Sequence, residues 1–222
     1  MTTADVSGGA EYYAANYPDY ARQNPPRKIE FYLSLVRSWA PPPARLHEIG
    51  VGLGAFLQRA AREYHCSGSD VNAFGVDAAR RRAPGADVQL GSCERIPREP
   101  PVDLVVAFDV LEHLPDLDEA LTLVGQRLAA AHGVLIGVVP VYDGPLGWLV
   151  RLLDHDPTHV SKWPRDAWVR TLERHGFDVV ATGGILRRLV FGRWYLHLTR
   201  PVWLWRRIGS ALWFVARAPE RV

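Results

Sequence analysis

The residues with the clearest chemical meaning lie in one short run, LHEIGVGLGAF, from Leu46 to Phe56. Gly50, Gly52 and Ala55 fit the GxGxx(G/A) turn that lets a backbone approach an adenosine-bearing cofactor. An acid, Asp70, follows about 20 residues after the first glycine. Taken alone, that pattern reads as a dinucleotide site. Glu48 argues otherwise: its carboxylate would stand near a dinucleotide's doubly charged pyrophosphate, and like charges in a partly desolvated cleft cost several kcal/mol. S-Adenosylmethionine carries an ammonium and a sulfonium and no phosphate, so a carboxylate suits it. Asp70 suits either cofactor, because its two oxygens can accept from both ribose hydroxyls. It could also cap the helix expected over VNAFGVDAAR.

Proton transfer needs a different kind of group, and three histidines offer it: His113 in DVLEHL, and His155 and His159 in LLDHDPTHV. A histidine near its ordinary pKa is the usual acceptor of a proton from a hydroxyl or an ammonium. Asp154 and Asp156 flank His155 and would raise its basicity. Glu112, His113, His155, Asp156 and His159 could also be read as a metal cluster. Adjacent residues rarely turn both side chains to one ion, so no metal is expected.

The elements that must position these groups show in the pattern of apolar residues. ARLHEIG, CSGSD, ADVQLG, VDLVVAFDV and GVLIGVVPV read as strands, separated by amphipathic segments AFLQRAAREY, NAFGVDAARRRA and LDEALTLVGQRLAAA that read as helices. Gly133 closes the last of these helices. A helix over PRDAWVRTLERHG and a strand FDVVATGGI restore the rhythm after a long connection, and SALWFVARA reads as the final strand. Strand and helix alternating in this way imply right-handed crossovers. The expected fold is α/β: a doubly wound, mostly parallel seven-stranded sheet with helices on both faces, an antiparallel last strand and an N-terminal helical cap. The expected division is a cap at 1–43 and a Rossmann-like domain at 44–222, with insertions at 141–163 and 186–208.

Composition narrows the partners. The chain has 222 residues, 48% hydrophobic and 23% charged, enough for one substantial domain. Only its first eight residues, MTTADVSG, look loose. The net charge is +2, the only lysines are Lys28 and Lys162, and no basic stripe interleaves with aromatics before the C-terminal part. Nucleic acid is therefore not an expected partner. Cys66 and Cys93 form neither a disulfide framework nor a CxxC site, which fits a reducing cytoplasm. The polar, acidic start does not resemble a signal peptide. No apolar run reaches the roughly 20 residues needed to span a bilayer; PVWLWRRIGSALWFVA is broken by Arg206 and Arg207. Nothing in the sequence fixes an oligomeric state.

Five segments in order resemble the class I S-adenosylmethionine-dependent methyltransferases. LHEIGVGLG is similar to the first motif of that family, SGSD to its acid-ended second strand, and GSCERIP to the segment usually read GDAExLP. VDLVVAFDVLEHLPD is similar to its fourth-strand signature, and DPTHVSKWP followed by LERHGF to the late part of many small-molecule members. The resemblance covers roughly residues 44 to 180. It implies that Glu48, Gly50 and Gly52 face the methionine end of the cofactor, that Asp70 holds the ribose, and that Val71 packs on the adenine. Ser92 stands where the family usually has an Asp bonding the adenine amino group, with Cys93 beside it. Phe108 and Asp109 would line the cofactor near its reactive methyl, the Phe108 carbonyl accepting from the ammonium. His159 is similar to a recurrent family histidine.

The family fold leaves acceptor recognition to appended pieces. Tyr17, Tyr20 and Arg27 could close over the cofactor. Trp148, Trp163 and Trp194 could wall a sugar or a specialised metabolite, and Arg187, Arg188 and Arg193 suit a phosphate or carboxylate on it. The expected reaction is methyl transfer to oxygen or nitrogen of a small molecule, a lipid-like or carbon acceptor being the nearest alternative. An NAD-dependent reductase would want a Tyr-xxx-Lys pair, which neither lysine supplies. A membrane-surface module could use RWYLHLTRPVWLWRRI, although Pro201 interrupts it.

Overall fold

The computed structural model describes residues 9–16, 19–145, 147–154, 156–190, 194–200 and 202–219. The segment MTTADVSG, Tyr17, His155 and Arg193 lie outside the described residues. Three helices come first: α1 (Gly9–Asn16), α2 (Tyr20–Gln23) and α3 (Pro26–Trp39). Pro26 occupies the first position of α3, where its missing N–H is no loss. Ile29, Tyr32, Leu33 and Val36 recur at helical spacing and are all buried, which fixes this helix on the body of the fold.

The alternation that follows runs β1 (Arg45–Ile49), α4 (Ala55–Ala60), β2 (His65–Asp70), α5 (Ala73–Arg82), β3 (Asp87–Leu90), β4 (Leu104–Phe108), α6 (Leu117–Ala129) and β5 (Val134–Pro140). Beyond it lie α7 (Gly147–Leu153), α8 (Arg165–Arg174), β6 (Asp178–Val190), β7 (Trp194–Leu198), α9 (Val202–Ile208) and β8 (Ala211–Arg217). The strands form one sheet in the order β3-β2-β1-β4-β5-β8-β6-β7. β1 pairs in parallel with both β2 and β4, and β4 with β5, whereas β8 runs antiparallel between β5 and β6.

The central strands are buried almost throughout, and successive side chains enter opposite faces of the sheet. Leu104 and Val106 of β4 join one apolar cluster with Leu33 of α3, Leu57 of α4 and Ala79 of α5. Val105 and Ala107 join the other, with Leu121 and Leu128 of α6 and Trp168 of α8. Helices therefore cover both faces. Chain order reverses between β1 and β4, and in such sheets the crevice beyond the strand ends at that point receives the ligand.

The sheet has eight strands rather than seven. Leu186–Val190, expected to be connection, continues β6, and the chain returns as β7, pairing antiparallel from Leu186↔Leu198 to Val190↔Trp194. The short helix α9 then leads to β8. Arginines at 187 and 188 conceal this strand from a reading based on apolar alternation, because one of them turns inward to a buried acid.

Candidate active site

The turn after β1 is shaped by backbone that only glycine adopts freely. Gly50 has φ +72°, and a Cβ there would stand 2.3 Å from Val110 Cγ2. Gly54, at φ +78°, starts α4, where a Cβ would meet the Ala79 backbone at 2.8 Å. The Gly50 and Val51 amides both donate to the Ser69 carbonyl, tying the turn to β2. The Gly52 amide donates to Asp70 Oδ2 at 2.8 Å, and the Asn72 amide to Asp70 Oδ1 at 2.9 Å. Asp70 thus braces the glycine turn, while Asn72 caps α5 by accepting from the Phe74 and Gly75 amides. The capping role weighed for Asp70 belongs to its neighbour.

A cavity of about 560 Å³ opens over this turn, and its wall carries Glu48, Gly50, Gly52, Asp70 and Val71. Ser92, Cys93, Phe108, Asp109 and His113 line it too. Glu48 is 4% exposed, and its Oε2 has no hydrogen-bond partner among the described residues. Burial, with Asp70 adding to it, pushes this carboxyl well above the usual carboxylate range. Burial also raises Asp70, against the pull of its two amide bonds. The cavity therefore holds an orphaned acid that a cation would satisfy. Val71 stays 49% exposed at its edge, an apolar surface beside a polar cleft.

Ser92 is held by a relay from the core. His47 Nε2 lies 3.2 Å from Ser69 Oγ, which donates to the Ser92 carbonyl at 3.0 Å. Burial lowers His47 to about 4, so the ring stays neutral.

The end of β4 is crowded with charge. Asp109 sits at φ +61°, a conformation rare for any residue but glycine. Arg187 Nη1 donates to Asp109 Oδ2 at 2.6 Å, and Lys28 Nζ lies 3.8 Å from the same oxygen. The two cations hold the Asp109 carboxyl below its ordinary value despite its burial. Phe108 packs under this knot, stacked on Tyr32 with ring centroids 4.3 Å apart.

Behind His113 stands His159, with ring centroids 4.6 Å apart. The carbonyl of Glu112 accepts from the Val160 and Ser161 amides, which draws the long connection onto the single 3-10 turn Leu111–His113 after β4. His159 is not on the cavity wall; His113 and Thr158 are.

Known proteins can be set beside this geometry. The methyltransferase domain family matches residues 20–182. The chain belongs to the S-adenosylmethionine-dependent methyltransferases. Among solved structures, a Haloferax volcanii protein in complex with the Trm112 methyltransferase activator shares 17% identity at TM-score 0.70, over 94% of this chain and 96% of its own. A possible histamine N-methyltransferase from Thermotoga maritima shares 17% at TM-score 0.67, over 93% and 97%. The N-methyltransferase NodS from Bradyrhizobium japonicum, solved with S-adenosyl-L-homocysteine, shares 18% at TM-score 0.66, over 95% and 96%. At such identities the likeness establishes the fold. No curated protein matches by sequence.

Several groups of this methyltransferase stand elsewhere than expected. Of the residues named for closure, Tyr20 lines the cavity, and burial with Glu48 nearby raises its phenol to about 12. Arg27 is exposed. Tyr13 and Lys28 line the cavity unanticipated. For the first, the sequence offers only its place two helical turns before Tyr20. Nothing marked Lys28 as buried. Trp163 lies tilted against Trp168 with ring centroids 4.9 Å apart and packs, partly buried, on the core; Trp148 is 68% exposed, and the side chains of Arg188 and Trp194 fall outside the described residues. No helix among the described residues is long and apolar enough to cross a membrane.

Proposed function

We propose that this methyltransferase acts on an oxygen or nitrogen of a small molecule, a sugar or specialised metabolite being the class that fits best. When bound, S-adenosylmethionine supplies an electrophilic methyl carbon whose bond to sulfur breaks with both electrons left on sulfur. Glu48 carries the reading: its buried Oε2 has no hydrogen-bond partner among the described residues and suits the cofactor's ammonium. Asp70, already fixed by the Gly52 and Asn72 amides, accepts from the ribose hydroxyls. Val71 offers its exposed face to the adenine, and Ser92 with Cys93 closes the far edge. The Phe108 carbonyl and Asp109 stand toward the methyl end, where alignment of nucleophile and methyl contributes roughly 7–11 kcal/mol.

Support for a small acceptor comes from closure. Tyr13 of α1, Tyr20 of α2 and Lys28 of α3 line the same cavity as His113 and Thr158, so α1, α2 and α3 act as the cap. His113 and, behind it, His159 handle the acceptor proton; His155, the third histidine weighed for this role, lies outside the described residues. Cys66 and Cys93 are free and buried, which fits a cytoplasmic setting.

The test is incubation of the full chain with methyl-labelled S-adenosylmethionine and a metabolite extract, followed by mass spectrometry. A small product heavier by one labelled methyl supports the reading. Label found only in protein or nucleic acid contradicts it. His159→Ala should slow transfer at least tenfold and leave cofactor affinity unchanged; full turnover would remove the histidine pair from the mechanism.

A further inference from the structure

Glu112 is the second buried acid at this site whose carboxylate lacks a partner. It is 1% exposed, and its Oε2 has no hydrogen-bond partner among the described residues. Its Oε1 stands 4.0 Å from His159 Nε2, too far for a hydrogen bond. Ligand-type atoms of Glu112, His113 and His159 all lie within 4.8 Å of one another. Around a four-coordinate ion with bonds of about 2.0–2.1 Å, neighbouring ligand atoms stand roughly 3.3 Å apart. A closing movement of under an ångström per side chain therefore brings the three into range.

The surroundings also settle which ring nitrogens carry lone pairs. Thr158 Oγ1 donates to Asp156 Oδ1 at 2.5 Å, so at 2.8 Å it accepts from His113 Nδ1. Asp154 Oδ2, held by Lys162 at 2.9 Å and by the Tyr142 hydroxyl, accepts from His159 Nδ1 at 2.8 Å. Each imidazole spends its proton on an oxygen behind it and keeps Nε2 bare. This carboxylate–histidine arrangement is the one that orients imidazoles toward a metal.

We propose that Glu112, His113 and His159 form a site for a divalent first-row ion, Zn²⁺ foremost, beside the acceptor end of the cavity. Two neutral imidazoles and one carboxylate make a nitrogen-rich donor set that suits Zn²⁺, Co²⁺ or Mn²⁺ over Mg²⁺ or Ca²⁺. Three protein ligands leave a position open, and His113 turns it toward the cavity wall. A hydroxyl of the acceptor held there is more acidic than in water. With the ion bound, the two imidazoles act by holding it instead of taking the acceptor proton themselves; the proton passes to solvent, the oxygen forms the new bond to the methyl carbon, and the electron pair of the broken C–S bond stays on sulfur. The role in catalysis rests on the proposed reading of the site; binding of the ion does not. Adjacent Glu112 and His113, expected not to share an ion, could do so because they sit on a 3-10 turn rather than on a helix or strand.

The experiment is titration of the chelator-stripped full chain with Co²⁺, read by visible absorption, and with Zn²⁺, read by calorimetry. S-Adenosylhomocysteine affinity is measured on the same samples. One ion per chain is expected. Glu112→Gln and His159→Gln should each weaken it by 100-fold or more, and Asp154→Asn by 10- to 100-fold, with S-adenosylhomocysteine affinity and melting temperature kept. If Glu112→Gln does not fold, Asp154→Asn, which removes no ligand, decides the matter. Absence of stoichiometric binding, or binding that none of these changes weakens, overturns the proposal. Ion binding without S-adenosylhomocysteine binding would instead contradict the cofactor assignment.

Discussion

At one end of the cavity Gly52, in the turn after β1, meets Asp70 at the end of the neighbouring parallel strand β2, and backbone amides do most of the holding. At the other, Asp109, Arg187 and Lys28 meet from β4, β6 and α3, and His159 reaches His113 from a long connection. The first end is built from local geometry that a turn and a strand end dictate. The second exists only once distant segments are packed. A fold of this kind can therefore keep its cofactor end constant while its acceptor end is rebuilt from side chains.

The largest expected effect falls on the frame that both ends share. Burial holds His47 near 4 and His197 near 3, well below the ordinary histidine value of about 6.5. As pH falls through that window the unfolded chain takes up protons that the folded chain refuses, so stability present above about pH 6.5 is lost. The loss approaches about 3 kcal/mol for His47 by pH 4. Denaturant unfolding between pH 7 and 4 measures it, and His47→Asn should flatten the slope. An unchanged slope would mean that this relay to Ser92 is not held in its neutral form.

Next comes the brace of the cofactor end. Asp70→Ala strands the Gly52 and Asn72 amides and removes the ribose acceptor, so S-adenosylhomocysteine affinity should fall about 100-fold by calorimetry. Unchanged affinity would refute the ribose assignment. Gly54→Ala, at φ +78° against the Ala79 backbone, should cost about 2 kcal/mol of stability. A melting temperature equal to wild type would show that the turn relaxes, and the claimed rigidity of this end would fail.

What could be read from sequence follows the same division. Glu48, Gly50, Gly52 and Asp70 are legible because each sits within a few residues of a strand end whose direction the apolar pattern fixes. Ser92, Phe108 and Asp109 come from the family resemblance, and they line the same cavity. Lys28 is illegible, since its burial depends on α3 packing over β4. So is the pairing of Arg187 with Asp109, because β6 had to run on past Ile185 to carry it there. Glu112 shows in the sequence as a member of a possible metal cluster, but its burial depends on the 158–161 stretch, whose Val160 and Ser161 amides donate to its carbonyl.

Calorimetric titration of wild type and Glu48→Gln with S-adenosylhomocysteine, in buffers of different ionisation enthalpy, tests the central claim most directly. Burial pushes the Glu48 carboxyl well up and the ligand's ammonium should pull it back down, so wild type should release a proton on binding and bind more tightly as pH rises. Glu48→Gln should bind about tenfold more weakly and release none. Equal affinity with no proton release from either protein would contradict the account.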